Sequence, residues 1–304
     1  MSNQKWFRRS LRHVSDQLHA RGHSACPMTI ARLLTQQGYS LKANSKRAAG
    51  TSHPDRNTQF EYIEAQKQLF LARGWPVISV DAKKKERIGN FKNAGQCWCQ
   101  AADMVNDHDF DGDARGKAVP YGVYDLNHNR GYIYVGQSAD TAEFAVDRIV
   151  QWWQTIGGRD FPEAPGLLVL CDGGGSNSWR SRVWKSQLQD QLADQFGLAV
   201  TVCHYPTGTS KWNPIEHRLF GPVSLNWAGI PLRTFDIILA CIRGTTTRTG
   251  LEVQAFLVEQ VYQRGVKVTD QVMRTLNLER HVTCPNWNYT LRPRSVSAVP
   301  EIGC

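Results

Sequence analysis

The sequence predicts an α/β fold, a mixed sheet with flanking helices preceded by a small helical module. Three observations point to it. Short apolar runs of strand length end in acids or polar turns, strands come first in a row and then alternate with helices, and positive charge is crowded into the first fifty residues. That opening segment holds nine Lys or Arg against one acid, Asp16, whereas the rest of the chain is within one charge of neutral. A basic module on a near-neutral body is the electrostatic footprint of polyanion binding.

With 304 residues and ten Trp, the chain can bury a substantial core. The nearest candidate for a membrane span, Phe235 to Ile242, is far too short to cross a bilayer, and the polar, basic start carries no secretory pattern. A cytoplasmic protein is expected. Eight scattered Cys read as reduced thiols; the one close pair, Cys97 and Cys99, is not spaced as a zinc site.

Residues 10–21 set Leu11, Val14 and Leu18 on one helical face until Gly22. A second helix over 24–34 has Pro27 in its first turn and Ile30, Leu33 and Leu34 on its apolar face, and Gly38 ends it. Two short helices about a glycine turn make residues 1–47 a helix-turn-helix module. Thr29 and Arg32 would then face a DNA major groove, with Lys42, Lys46 and Arg47 on phosphates. A plain helical hairpin has the same periodicity, and the concentrated charge favours DNA.

Residues 48–73 read as a linker and helix. Strands follow at 77–82, near 118–125 and at 131–137, then a helix at 141–156, a strand at 166–171, a helix at 180–196, a strand at 198–204 and a helix at 214–227. Three antiparallel strands followed by crossover units form the ribonuclease H-like arrangement, here spanning 74–230. Helical patterns at 234–243 and 251–263 make 231–304 a helical extension and tail.

Three acids stand where these elements begin or end. Asp81 closes Trp75-Pro-Val-Ile-Ser-Val80, Asp172 closes Gly166-Leu-Leu-Val-Leu-Cys171, and Glu216 lies just inside a helix start at Asn213-Pro-Ile-Glu216. Neighbouring carboxylates repel unless a cation sits between them. Two Mg²⁺ (or Mn²⁺) ions held this way can clamp the attacking and leaving oxygens of a phosphodiester. Asn213-Pro-Ile-Glu216 also matches a capping box, a purely structural reading. After Asp81, Lys83, Lys84 and Lys85 are expected on DNA phosphates together with Lys211. Ser176 and Asn177, beyond the glycines that follow Asp172, are candidates to orient its carboxylate. Asp107-His-Asp-Phe-Asp-Gly112 begins like a calcium loop, but Ala118 stands where a bidentate Glu is needed.

The phrases Ile78-Ser-Val-Asp-Ala-Lys-Lys-Lys-Glu86, Cys171-Asp-Gly-Gly-Gly-Ser-Asn177 and His204-Tyr-Pro-Thr-Gly-Thr-Ser-Lys-Trp-Asn-Pro-Ile-Glu-His-Arg-Leu-Phe220 resemble bacterial insertion-sequence DDE transposases. The last is similar to a mariner-like pattern, and the whole, from about Leu11 to Tyr289, looks like the Rhodopirellula-type DDE transposase family. The resemblance implies a divalent metal, Asp81, Asp172 and Glu216 as the triad, and hydrolysis at element ends followed by strand transfer into target DNA. It also implies double-stranded DNA as partner, a homodimer during transposition, and a bacterial, nucleoid-associated location. Relatives usually carry further N-terminal DNA-binding helices, so one alternative is a truncated, catalytically inert DNA-binding derivative. Another is a ribonuclease H-like nuclease that cuts without joining. A two-carboxylate glycosidase fits the acids but not the basic module.

Overall fold

The computed structural model describes residues 10–40 and 53–294. The chain divides into two compact units, Met1–Gly50 and Thr51–Cys304. In the first, the Ser10 hydroxyl accepts from His13 N–H at 3.2 Å and caps α1 (Leu11–Ala20). Helix α2 (Pro27–Gln36) opens on Pro27, whose missing N–H costs nothing in a first turn. Ile30 is buried, Thr29 half-buried and Arg32 exposed. Lys42, Lys46 and Arg47 lie outside the described residues.

The second unit starts with α3 (Arg56–Ala72) and is organised on one sheet. Its strands are β1 (Val77–Ala82), β2 (Glu86–Ile88), β3 (Gly116–Asp125), β4 (Arg130–Gly136), β5 (Gly166–Asp172), β6 (Ala199–Tyr205), β7 (Glu252–Val258), β8 (Leu278–Arg280) and β9 (Asn288–Leu291). The order is β7-β4-β3-β1-β5-β6-β9-β8, with β2 paired to β3. β4, β3 and β1 are antiparallel neighbours, and β1, β5 and β6 run parallel. That five-strand centre is the ribonuclease H-like fold. The parallel strands are apolar on both faces, because helices cover both.

On one face, Ile78, Val80, Leu167 and Val169 pack with Phe144, Ile149 and Trp152 of α4 (Ala142–Trp152) and Trp184 of α6 (Arg182–Gln187). Between these helices, α4 widens into a π turn and ends in the short α5 (Gly158–Asp160). On the other face, Tyr124, Ile133 and Val135 meet Val223 of α7 (Gly221–Asn226) and Ile238 and Ile242 of α8 (Phe235–Arg243), while Val77, Leu168 and Leu170 lie under Ile63 and Phe70 of α3. Among the described residues no helix is long and apolar enough to cross a membrane.

The helical pattern at 251–263 is overturned. Residues 252–258 form β7, parallel to β4, and the extension also supplies β9, antiparallel to β6, and β8, antiparallel to β9. Val253, Ala255 and Leu257 pack on one side of β7, while Phe256 and Val258 pack on the other. A short run that is apolar on both faces has no period to separate strand from helix. Among the described residues the helices of this extension are α8 and the five-residue α9 (Asp270–Arg274).

Candidate active site

β1 and β5 lie side by side at the middle of the sheet with Val80 opposite Cys171. The next residue on each strand is an acid, so Asp81 and Asp172 emerge together at the C-terminal edge. Strand alternation sets Asp81 on the side of Val77, and Asp172 on the side of Leu168 and Leu170. Those three apolar residues share one cluster, so both carboxylates belong to the same face.

Glu216 reaches that face from a helix. The chain bends at Asn213, enters the helix at Pro214, and forms a π turn over Glu216–Phe220 ahead of α7. Pro222 has no N–H to offer Arg218, and Gly221 N–H bonds instead to Glu216 O, five residues back. The segment lies close on the sheet because Gly122 and Gly131 make room for it. A Cβ at Gly122 would stand 2.7 Å from both Ile215 Cδ1 and Phe220 Cε1, and one at Gly131 only 2.3 Å from Leu219 Cδ1. Gly122 is the residue directly opposite Asp81 in the antiparallel β1–β3 register.

Polar side chains tie these pieces together. Asn213, fully buried, donates from Nδ2 to Asp172 Oδ1 at 3.1 Å. Its Oδ1 accepts from the Ser79 hydroxyl, and Ser79 Oγ accepts from Ile215 N–H at 3.1 Å. The capping pattern at 213–216 is therefore used differently from a capping box. Asn213 turns to the strands, and a serine from β1 takes an N–H of the helix start, because an ionisable carboxylate and a buried hydroxyl both need the Asn213 amide. Neither residue stood out in the sequence as part of the site. The available signals were Ser79 as the polar interruption of an apolar run, and Asn213 as a cap candidate.

The electrostatics are those of crowded acids. Burial, and then the charge of Asp172, raises Asp81 to about 8, with Glu216 and Asp140 adding to it. Burial raises Asp172 to about 6 against the Asn213 hydrogen bond, and Glu216 pushes the same way. Glu216 is itself raised by burial, opposed by the neighbouring Lys83 and His217. All three share one repulsive field.

An oxygen-only donor set under mutual repulsion fits a hard divalent cation, which would relieve the cost of ionising the three acids together. The fit is in charge and donor type. Among the described residues no three His, Cys, Asp or Glu side chains converge as closely as a coordination shell requires.

The other sequence candidates divide. Lys83 does not point outward: its ammonium pairs with Glu86 at 3.3 Å and lies 4.4 Å from the Trp227 ring centroid. Lys84, Lys85 and Lys211 are exposed. Asn177 is buried but bonds elsewhere, accepting from Tyr121 Oη at 2.8 Å, and the buried Ser176 hydroxyl has no hydrogen-bond partner among the described residues. Asn213 holds Asp172 in their place. Cys97 and Cys99 are exposed free thiols.

No curated protein matches the chain. Solved structures similar to it include the Mos1 transposase paired-end complex with left transposon end (10% identity, TM-score 0.46, covering 78% of this chain and 71% of that one). The Mos1 strand transfer complex is similar at 12% identity and TM-score 0.46, covering 78% and 70%. The mariner Mos1 paired end complex with Mg has the same identity and TM-score, covering 78% and 71%. A family model described as the Rhodopirellula transposase DDE domain matches residues 1–293, nearly the whole chain. The chain belongs to that transposase family.

Proposed function

We propose that Asp81, Asp172 and Glu216 are the catalytic carboxylates of this transposase and hold two divalent cations, Mg²⁺ or Mn²⁺. The substrate is double-stranded DNA, cut at the ends of an insertion sequence and joined to target DNA. The observation that carries the reading is the pairing of Asp81 with Asp172 on adjacent parallel strands, both raised in pKa by burial and by nearby acids. Bound there, divalent cations supply the positive charge that polarises a phosphodiester and stabilises its leaving oxygen.

The protein's own groups orient and balance that centre. Asn213 fixes one oxygen of Asp172, Ser79 ties β1 to the start of the Glu216 helix, and Lys83 favours the ionised form of Glu216. Lys84, Lys85 and Lys211 take backbone phosphates. Within the module 1–47, Thr29 and Arg32 read the major groove, and Lys42, Lys46 and Arg47 add phosphate contacts. Residues 74–230 carry the chemistry, and β7, β8 and β9 of the C-terminal extension add to the sheet. Two element ends must be brought together, so the working form is a homodimer on bacterial nucleoid DNA.

Nicking of a labelled element end in Mg²⁺ tests the assignment. Asp81→Asn, Asp172→Asn and Glu216→Gln should each lose cutting while retaining DNA binding, and normal cutting by any of them refutes its role. Precleaved ends separate a transposase, which joins them to target, from a nuclease, which does not. One observation favours the inert alternative, the lack of three converged ligands among the described residues. A Mg²⁺ titration that yields DNA binding but no cutting would establish it.

A further inference from the structure

A cleft of about 370 Å³ opens between α6, α9 and β8, lined by Lys185, Met273, Arg274, Leu278 and Arg280, with Asp270 at its margin. Its charge is one-sided. The single acid of the lining, Asp270, is held by Arg182 at 2.6 Å. Lys185 is only 7% exposed, its ammonium donates to Trp179 O at 2.6 Å, and it lies 5.5 Å from the Tyr289 ring centroid. Burial, and then the like charge of Arg280, lower the Lys185 pKa to about 8. Arg280 itself donates to Pro285 O and Asn286 Oδ1, both at 3.0 Å. A buried ammonium and a guanidinium satisfied by neutral oxygens, beside an open cleft, have cationic charge that no anion among the described residues balances.

The cleft adjoins the loop after Asp172. Trp179, whose carbonyl takes the Lys185 ammonium, sets its ring against Gly173, where a Cβ would stand 3.4 Å from Trp179 Cδ1. One residue thus connects the basic cleft to the candidate active site.

We propose that this cleft binds a backbone phosphate of the DNA strand that passes through the site, with Arg274 and Arg280 donating to its oxygens and Lys185 supplying charge from below. The proposal rests on the transposase reading for the identity of the polyanion. Arginine suits the task because its planar fork matches a phosphate. The contact would set the register of the strand rather than act on the bond that breaks.

Anisotropy of a fluorescent duplex bound to the full chain in EDTA, followed as KCl is raised, tests this without any cutting. Arg274→Ala with Arg280→Ala should weaken binding about tenfold near 0.1 M KCl and flatten the log–log salt slope by about one. A photocrosslinker at Met273 should join the DNA strand, and the double substitution should abolish the cross-link. The proposal is overturned if a double variant that melts like the wild type keeps its affinity and slope. It is also overturned if the photocrosslinker at Met273, in a folded protein that still binds the duplex, joins no DNA. Failure here leaves the catalytic reading intact, which fails separately if Asp172→Asn still cuts.

Discussion

The hydroxyl of Ser79 is hydrogen-bonded to the side-chain carbonyl of Asn213, joining β1, two residues before Asp81, to the residue that holds Asp172. A serine in a buried strand and an asparagine before a helix thereby fix where all three carboxylates stand.

Removing that link should therefore cost both stability and geometry. Asn213→Ala leaves Ser79 Oγ without its acceptor and Asp172 without its amide donor, and should destabilise the fold by about 1–3 kcal/mol. Asn213→Asp adds a fourth negative charge beside Asp172 and should impair Mg²⁺-dependent nicking more than it impairs the urea midpoint. Equilibrium unfolding and nicking rates, measured on the same preparations, separate the two effects.

Gly122 makes room for the helix of Glu216. Gly122→Ala forces a methyl to 2.7 Å from Ile215 and Phe220, so a stability loss of about 1–3 kcal/mol is expected, with nicking reduced further. Gly112→Ala, where no atom lies within 4 Å of the added Cβ, is the matched control and should leave the unfolding midpoint nearly unchanged.

The raised acids predict a pH dependence of definite sign. Asp81, near 8, and Asp172, near 6, keep protons in the native state that the unfolded chain releases above about 4. Below that pH their contribution to stability is fully present. Metal-free stability should then fall as pH rises from about 4 toward 8, and Asp81→Asn should flatten the fall. Metal binding near pH 7 should release protons, visible as a binding heat that changes with the ionisation enthalpy of the buffer. A flat stability profile shared by wild type and Asp81→Asn would speak against the crowded site.

The three lysines after Asp81 should not behave alike. Lys84→Ala and Lys85→Ala remove exposed charges and should each reduce the salt slope of DNA binding by about one with little change in melting. Lys83→Met removes the ammonium beside Glu86 and Trp227, and should instead raise the Glu216 pKa and lower the melting temperature. Anisotropy titrations and thermal melts on the three variants check the split.

Much of this was legible from residues alone. Asp81 and Asp172 each close an apolar run, and the order of those runs suffices for the antiparallel-then-parallel centre of the sheet. Residues 252–258 were not legible, because a strand apolar on both faces looks like a buried helix. Nor was the use of Asn213, since a capping asparagine and one bonded to a distant carboxylate leave the same local pattern. Gly122 and Gly131 give no sign in the sequence of the helix that will rest on them. Lys83 differs from Lys84 and Lys85 only through Trp227 and Glu86, a distinction that requires the fold.

Mn²⁺ uptake, read from loss of the free-ion electron paramagnetic resonance signal, reports directly on whether the acids at 81, 172 and 216 act together. If they do, the wild type binds Mn²⁺, and Asp172→Asn, folded by circular dichroism, binds it at least about tenfold more weakly. A folded Asp172→Asn that binds Mn²⁺ as tightly as the wild type would contradict the shared metal centre.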